Sequence, residues 1–391
     1  PVLMRIRTQC VFARTQARKH ARGRWGCVPL VWCLLADMPS QPWSSGKCNA
    51  SAPDSNLCDV NAKYFCLPWR GGGDPFLVWD LQKKGRLPQD LPLCTGHSGT
   101  VQDLHFNPFI DECVASASDD TTAKVWKVPV GGPTHDIEKA DVTLEGHYKK
   151  VIQVRWNPVA ANVLATVSFD NTVKIWDAEH GKEAFSFDAH PDAIQSFDWN
   201  YNGSLYCTYC KDKQIRLVDP RNTSVASTFQ GHAGSKAARV CYLGDRSMFC
   251  SIGFSKQSER QIFFWDARNS AKALSEVQID VASGTLLPFF DADTNMLYLA
   301  GKGDTNIRYF EIEDEPPYQY FVANFVGKDP QRGLACELSH ANPFALALAL
   351  FFPSPTFLIL PYLANEASQR GWMLLLQHMH ELRACRILTI S

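Results

Sequence analysis

His97, Ser118, Asp120 and Trp126 recur fifty residues later as His147, Ser168, Asp170 and Trp176. An imidazole, a hydroxyl and a carboxylate are the ingredients of an acyl-transfer triad, in which a base activates a nucleophile and an acid orients the base. A catalytic triad occurs once in a chain, whereas this set is repeated and returns in part as His190 and Asp212. Repetition points instead to a buried hydrogen-bond network that fixes the same turn in each copy. The chain is therefore not expected to be an enzyme, and nothing in it calls for a cofactor. GGGD at 71–74 lacks the following Lys-Ser/Thr of a phosphate loop and reads as a hairpin turn. Cys207 and Cys210 form one CxxC inside a predicted strand. Residues three apart on a strand face opposite sides, so no shared metal is expected there.

The elements that position these residues are short strands. VIQVRW (151–156) alternates apolar and polar, VLATVSF (163–169) is mostly apolar, TVKIWDA (172–178) alternates again, and EAFSFDA (183–189) closes the unit. Gly96-His97 leads to Trp126, Gly146-His147 to Trp176 and Ala189-His190 to Val218, with His-to-third-strand intervals of 29, 29 and 28 residues. Weaker copies run from His232 to Trp265, around Phe310, and near Trp79. Trp126, Trp176, Val218, Trp265 and Phe310 stand 50, 42, 47 and 45 residues apart, the period of a four-stranded propeller blade. One four-stranded sheet cannot bury both faces alone, so blades must pack on each other around an axis. The expected fold is all-β, a seven-bladed β-propeller of WD-repeat type, and function is expected on its rims and loops.

The 391 residues are 45% hydrophobic and 20% charged, with a net charge of −1. That balance fits a soluble globular chain and argues against a general nucleic-acid binder, whose phosphate contacts need an excess of Lys and Arg. Fourteen cysteines without regular spacing read as small apolar core residues in a reducing compartment.

Wording inside the blades goes beyond the generic repeat. DSNLCDVNAKYF (54–65), GFSKQSERQIFFWDARN (253–269), LLPFFDADTNMLYLAGKGDTNIRYFEI (286–312), DEPPYQYF (314–321) and KDPQRG (328–333) resemble coronins, the actin-binding propeller family. The resemblance runs over about 47–333, and SERQ at 258–261 is among its most specific parts. It implies a seven-bladed propeller that binds filamentous actin, restrains the branched-filament nucleating complex, assists filament turnover, and works in the cytoplasm at the actin cytoskeleton and cell cortex. Alignment on DSNLC puts Lys47 where coronins carry a basic residue, usually Arg, used for filament contact. A lysine keeps the charge there without the bidentate fork. Lys149, Lys150, Arg155, Lys211 and Lys213 are further candidates for an acidic filament surface, each also readable as an ordinary solvated turn charge. Arg260 in SERQ is readable as a support of the blade rather than a partner contact. The other reading of the whole is a generic propeller scaffold for proteins without actin binding.

Both ends depart from that pattern. Residues 1–46 are basic and then apolar, through CVPLVWCLLA at 27–36, an order that also fits a targeting sequence; an atypical leader outside the propeller is expected. Residues 334–391 form an apolar tail in place of the last blade strands and the coiled coil, which would leave the seventh blade incomplete. Phe344 to Leu363 approaches the ~20 apolar residues of a membrane span, but Pro353, Pro355 and Pro361 interrupt it, so stable membrane insertion is not expected. Self-association through a coiled coil is not expected either, which predicts weakened, monomeric binding.

Overall fold

The computed structural model describes residues 55–327 except 72–73, 84–87, 89, 223, 270 and 293, together with the backbone of Gln41–Ser44, Gln331–Glu337, Leu348–Pro353, Thr356–Ile359 and Arg386–Thr389. Six sheets, each of four antiparallel strands in sequence order, occupy 59–94, 101–144, 151–187, 194–230, 239–281 and 286–326, and are numbered blades 1 to 6. Their first strands are Asp59–Val60, Val101–Phe106, Val151–Trp156, Ile194–Trp199, Arg239–Tyr242 and Leu286–Asp291. Each neighbours the next, and Gln331–Glu337 neighbours both Leu286–Asp291 and Asp59–Val60, so seven first strands run round one axis.

The seventh sheet differs from the others. It has three strands, with Leu348–Pro353 antiparallel to Gln331–Glu337 and parallel to Arg386–Thr389. Gln41–Ser44 pairs antiparallel with Thr356–Ile359, setting Trp43 opposite Phe357. A physical reason lies in the sequence: after Gly333 the alternation and turn residues of the blade repeat stop and an apolar run begins. Lys47 and most of the expected leader and tail lie outside the described residues. Among the described residues no helix is long and apolar enough to cross a membrane.

Blade 3 shows why these residues make strands. Its first strand VIQVRW alternates buried and half-buried positions, with a bulge between Val151 and Gln153. Its second strand, Val163–Ser168, is buried from Leu164 onward because blades 2 and 4 cover its two faces. Blades 2 and 3 share a layer containing Val125, Val154 and Trp176, and blades 3 and 4 share one containing Ile175, Phe197 and Val218. Cys207 packs in the layer with Tyr242 and Trp265, and Cys210 in the layer with Val167 and Phe187, so the two thiols face opposite sides of one strand. The eight cysteines within residues 55–327 are free thiols and seven are buried, which makes them core filler in these layers.

Antiparallel pairing puts the turn between second and third strands at the same end of the blade as the connector from the preceding blade. That end is termed the upper face. In blades 2, 3 and 4 these turns place Thr121, Asn171 and Lys213 at φ values of 68°, 68° and 67°. The left-handed residue lets the preceding aspartate carboxylate turn back onto the chain.

Candidate functional site

The upper face is built on the repeated polar set. In blade 3, His147 Nδ1 lies 2.9 Å from Asp170 and its Nε2 lies 2.7 Å from Thr166 Oγ1, which also accepts the Trp176 Nε1–H at 2.7 Å. Burial works against the Asp170 carboxylate, yet bonds from Thr172, the Tyr148 N–H and His147 outweigh it and hold Asp170 down at about 2. Burial pushes His147 below its ordinary value. An ionised Asp170 beside a neutral imidazole fixes the proton on Nδ1, so the Thr166 hydroxyl donates to Nε2. The relay is Trp176 to Thr166 to His147 to Asp170, with the Thr166 hydroxyl accepting from the indole and donating to the imidazole.

Blade 2 repeats the arrangement with His97, Asp120, Trp126 and Ser116, at 2.8 Å from His97 Nδ1 to Asp120 and 2.7 Å from its Nε2 to Ser116. The hydroxyl that meets the imidazole and the indole is Ser116 or Thr166, while Ser118 and Ser168, two residues further on, serve the turn. Ser118 donates to the Gly99 carbonyl and accepts the Asp120 N–H; Ser168 has its single O–H between the carbonyls at Lys149 and Lys150, at 3.1 and 3.0 Å, and accepts the Asp170 N–H. Residues two apart share a strand face, so sequence spacing alone does not say which of the two hydroxyls meets the imidazole.

In blade 4 the tryptophan is replaced by Val218 and the set changes. His190 Nδ1 lies 3.2 Å from Cys210 Sγ, while Asp212 pairs with Arg216 at 2.5 Å instead of with the imidazole. Burial, with Arg216 nearby, pushes His190 down to about 4, and burial pushes His232 of blade 5 to about 4 as well. A base whose folded value lies below its unfolded value of about 6.5 contributes stability fully above that value and loses it as the pH falls. The buried carboxyls carry the opposite sign: burial raises Asp59 to about 7 and Asp198 to about 6, so their contribution is full below about 4 and is lost as pH rises. Comparing wild type with His190→Gln isolates the histidine. Urea unfolding at pH 7 and 4.5 is expected to show the wild type losing about 2–3 kcal/mol more than the variant over that interval, and parallel losses would refute the assignment.

Blade 6 has no histidine at the corresponding connector position, which Ala282 occupies. Its turn carboxylate, Asp304, is paired instead by Arg260 of blade 5, with Nη1 at 2.6 Å. Arg260 is 2% exposed, forks onto Asp280 at 2.5 and 2.7 Å, and donates to the Gly284 carbonyl. Arg308 also bonds Asp280. A Cβ at Gly301 would sit 2.0 Å from Asp304 Oδ2, so this position has to be glycine for the ion pair to fit. Arg260 of SERQ thus joins blades 5 and 6 and is turned away from partners.

The candidate cations divide. Arg155 lies inside a first strand with Nη1 bonded to Asp103 at 2.6 Å and to the Val154 carbonyl at 2.7 Å, so it faces the axis and not the rim. Carboxyls on first strands stitch adjacent blades there: Asp59 accepts the Phe106 N–H, Asp103 the Val154 N–H and Asp198 the Tyr242 N–H. Lys213 donates to the Ala233 carbonyl at 2.7 Å, tying its turn to the next connector. Lys149 and Lys211 are exposed. Lys150 holds its Nζ 4.6 Å over the Phe169 ring. Lys150, Arg155 and Lys211 line one cavity of ≈ 140 Å³ at the upper mouth of the channel, together with Gln102, Asp103 and Arg239. Lys150 and Lys211 are 61 residues apart in sequence and meet only because blades 3 and 4 are neighbours.

The domain of unknown function DUF1899 matches residues 41–86, and the WD domain, G-beta repeat, matches 89–127, 139–177 and 181–219. The crystallised WD40 domain of Toxoplasma gondii coronin superposes with a TM-score of 0.77 at 28% identity, covering 85% of this chain and 88% of that one. The propeller is coronin-like. A chain of a mitotic checkpoint complex superposes with a TM-score of 0.63 at 12% identity, covering 83% of this chain and 92% of that one, and shares the fold alone. The three repeat matches fall on blades 2, 3 and 4, the blades in which a connector histidine lies four residues before the first strand. The coronin-like propeller is a WD-repeat scaffold, a class that generally serves protein–protein interaction rather than catalysis.

Proposed function

We propose that the chain binds actin filaments, with residues 47–333 as the propeller and cations of the upper rim as its contact. Lys149, Lys150 and Lys211 carry this reading: they gather on one face at adjacent blades, while Arg155 and Lys213 are occupied within the fold. Lys47 is included through the alignment alone. A filament surface that is broadly acidic would attract such a rim, with the attraction weakened by salt. Restraint of the branched-filament nucleating complex, and action in the cytoplasm at the actin cortex, belong to the same reading.

Co-sedimentation with filamentous actin at low and physiological salt, beside an actin-free spin, is the test. Pelleting only with actin, weakened by salt, is expected, and the double variant Lys47→Glu/Lys149→Glu is expected to bind about tenfold more weakly. A folded chain that stays in the supernatant at both salts would sink filament binding and leave a scaffold for other proteins.

A further inference from the structure

We propose that the channel mouth over blades 2 to 4 receives one carboxylate side chain, carried by a segment of a partner protein with apolar residues on either side of the acid. The cavity of ≈ 140 Å³ equals about four or five liquid waters at ~30 Å³ each. That is below the ~300 Å³ at which small-molecule sites begin, so it holds a side-chain head group and not a nucleotide. Its cations are Lys150, Arg155, Lys211 and Arg239, and its one acid is Asp103. Asp103 is 2% exposed and bonded to Arg155, so the floor is an internal ion pair and the two lysines remain as donors at the lip. Ile152, Phe169 and Ile194 supply apolar wall for the methylene stem of a glutamate.

The lining amides are already oriented. Gln102 donates to Asp119, Gln153 to the Phe197 carbonyl, and Gln195 accepts the Ala238 N–H. Two residues before Lys150 in the same connector, Tyr148 is 90% exposed, and Phe169 is 41% exposed. Exposed aromatics beside a charged cavity suit a peptide whose acid enters the mouth while its apolar neighbours lie on the rim. A phosphate dianion is matched less well, because it has no methylene stem to lie on the apolar wall of Ile152, Phe169 and Ile194. The inference rests on the cavity and not on filament binding, and either can fail without the other.

The test uses the full chain and a fluorescein-labelled peptide Gly-Leu-Glu-Leu-Gly, read by fluorescence anisotropy beside its Glu→Gln counterpart. The glutamate peptide is expected to bind about tenfold more tightly than the glutamine one. Lys150→Glu and Lys211→Glu are each expected to weaken it by about tenfold or more, with salt dependence reduced, while Lys182→Glu on the outer strand of blade 3 leaves it unchanged. The neutral Lys211→Gln, with folding checked by thermal melting, gives an intermediate loss. Equal binding of the two peptides, no binding of either, or indifference to both lysine reversals would overturn the proposal. Binding of inorganic phosphate without binding of the peptide would overturn it in favour of a small-anion site.

Discussion

Replacing Arg260 with leucine is expected to lower unfolding stability by about 3–5 kcal/mol, because it removes one partner of a buried ion network and leaves the other charges behind. Asp280 and Asp304 both face its guanidinium, and Arg308 remains beside them to compensate only part of their charge. Leucine also leaves the Gly284 carbonyl without its Arg260 donor. Arg260→Lys keeps the charge but cannot fork onto Asp280 while reaching Asp304, so it is expected to fall between the two. Urea titration by tryptophan fluorescence measures both, and a leucine variant within 1 kcal/mol of wild type would show that blades 5 and 6 are joined by their apolar layer alone. The same experiment distinguishes a supporting role from a contact role. A partner-contacting arginine would cost binding and leave stability nearly unchanged, since exposed ion pairs are worth only about 0–1 kcal/mol.

The strands were legible because a half-buried strand has a period of two, and VIQVRW and TVKIWDA carry that period openly. Blade spacing was legible for a similar local reason, since each unit repeats its own turn chemistry. Arg155 was readable as a rim cation from its charge, but its strand position puts it with Gln153 on the face that lines the channel, where polarity means a lining and not solvent. Arg260 was recognisable as unusual wording, whereas its partners stand 20 and 44 residues away, the second in another blade, and no local pattern points to them. The cavity between Lys150 and Lys211 was hidden for the same reason. Contacts along one hairpin can be read from spacing; contacts between blades depend on the closure of the ring.

The choice of hydroxyl in each blade is where that limit matters most, and it gives a second large effect. Thr166→Val keeps the shape and removes the oxygen that joins His147 to Trp176. Two fully buried polar atoms then lose their partner, at about 1–3 kcal/mol each, so a loss of about 2–6 kcal/mol is expected. Ser168→Ala is expected to cost only about 1 kcal/mol, because the Asp170 turn it serves keeps its bonds to Thr172 and to the Tyr148 N–H. Ser116→Ala and Ser118→Ala in blade 2 should repeat the order, with the first the more damaging. Stability measured on all four variants decides between the assignments. If Ser168→Ala and Ser118→Ala were the costlier pair, the imidazole would be anchored through the turn and the tryptophan N–H would contribute nothing, which would reverse the order of the relay from Trp176 to Asp170.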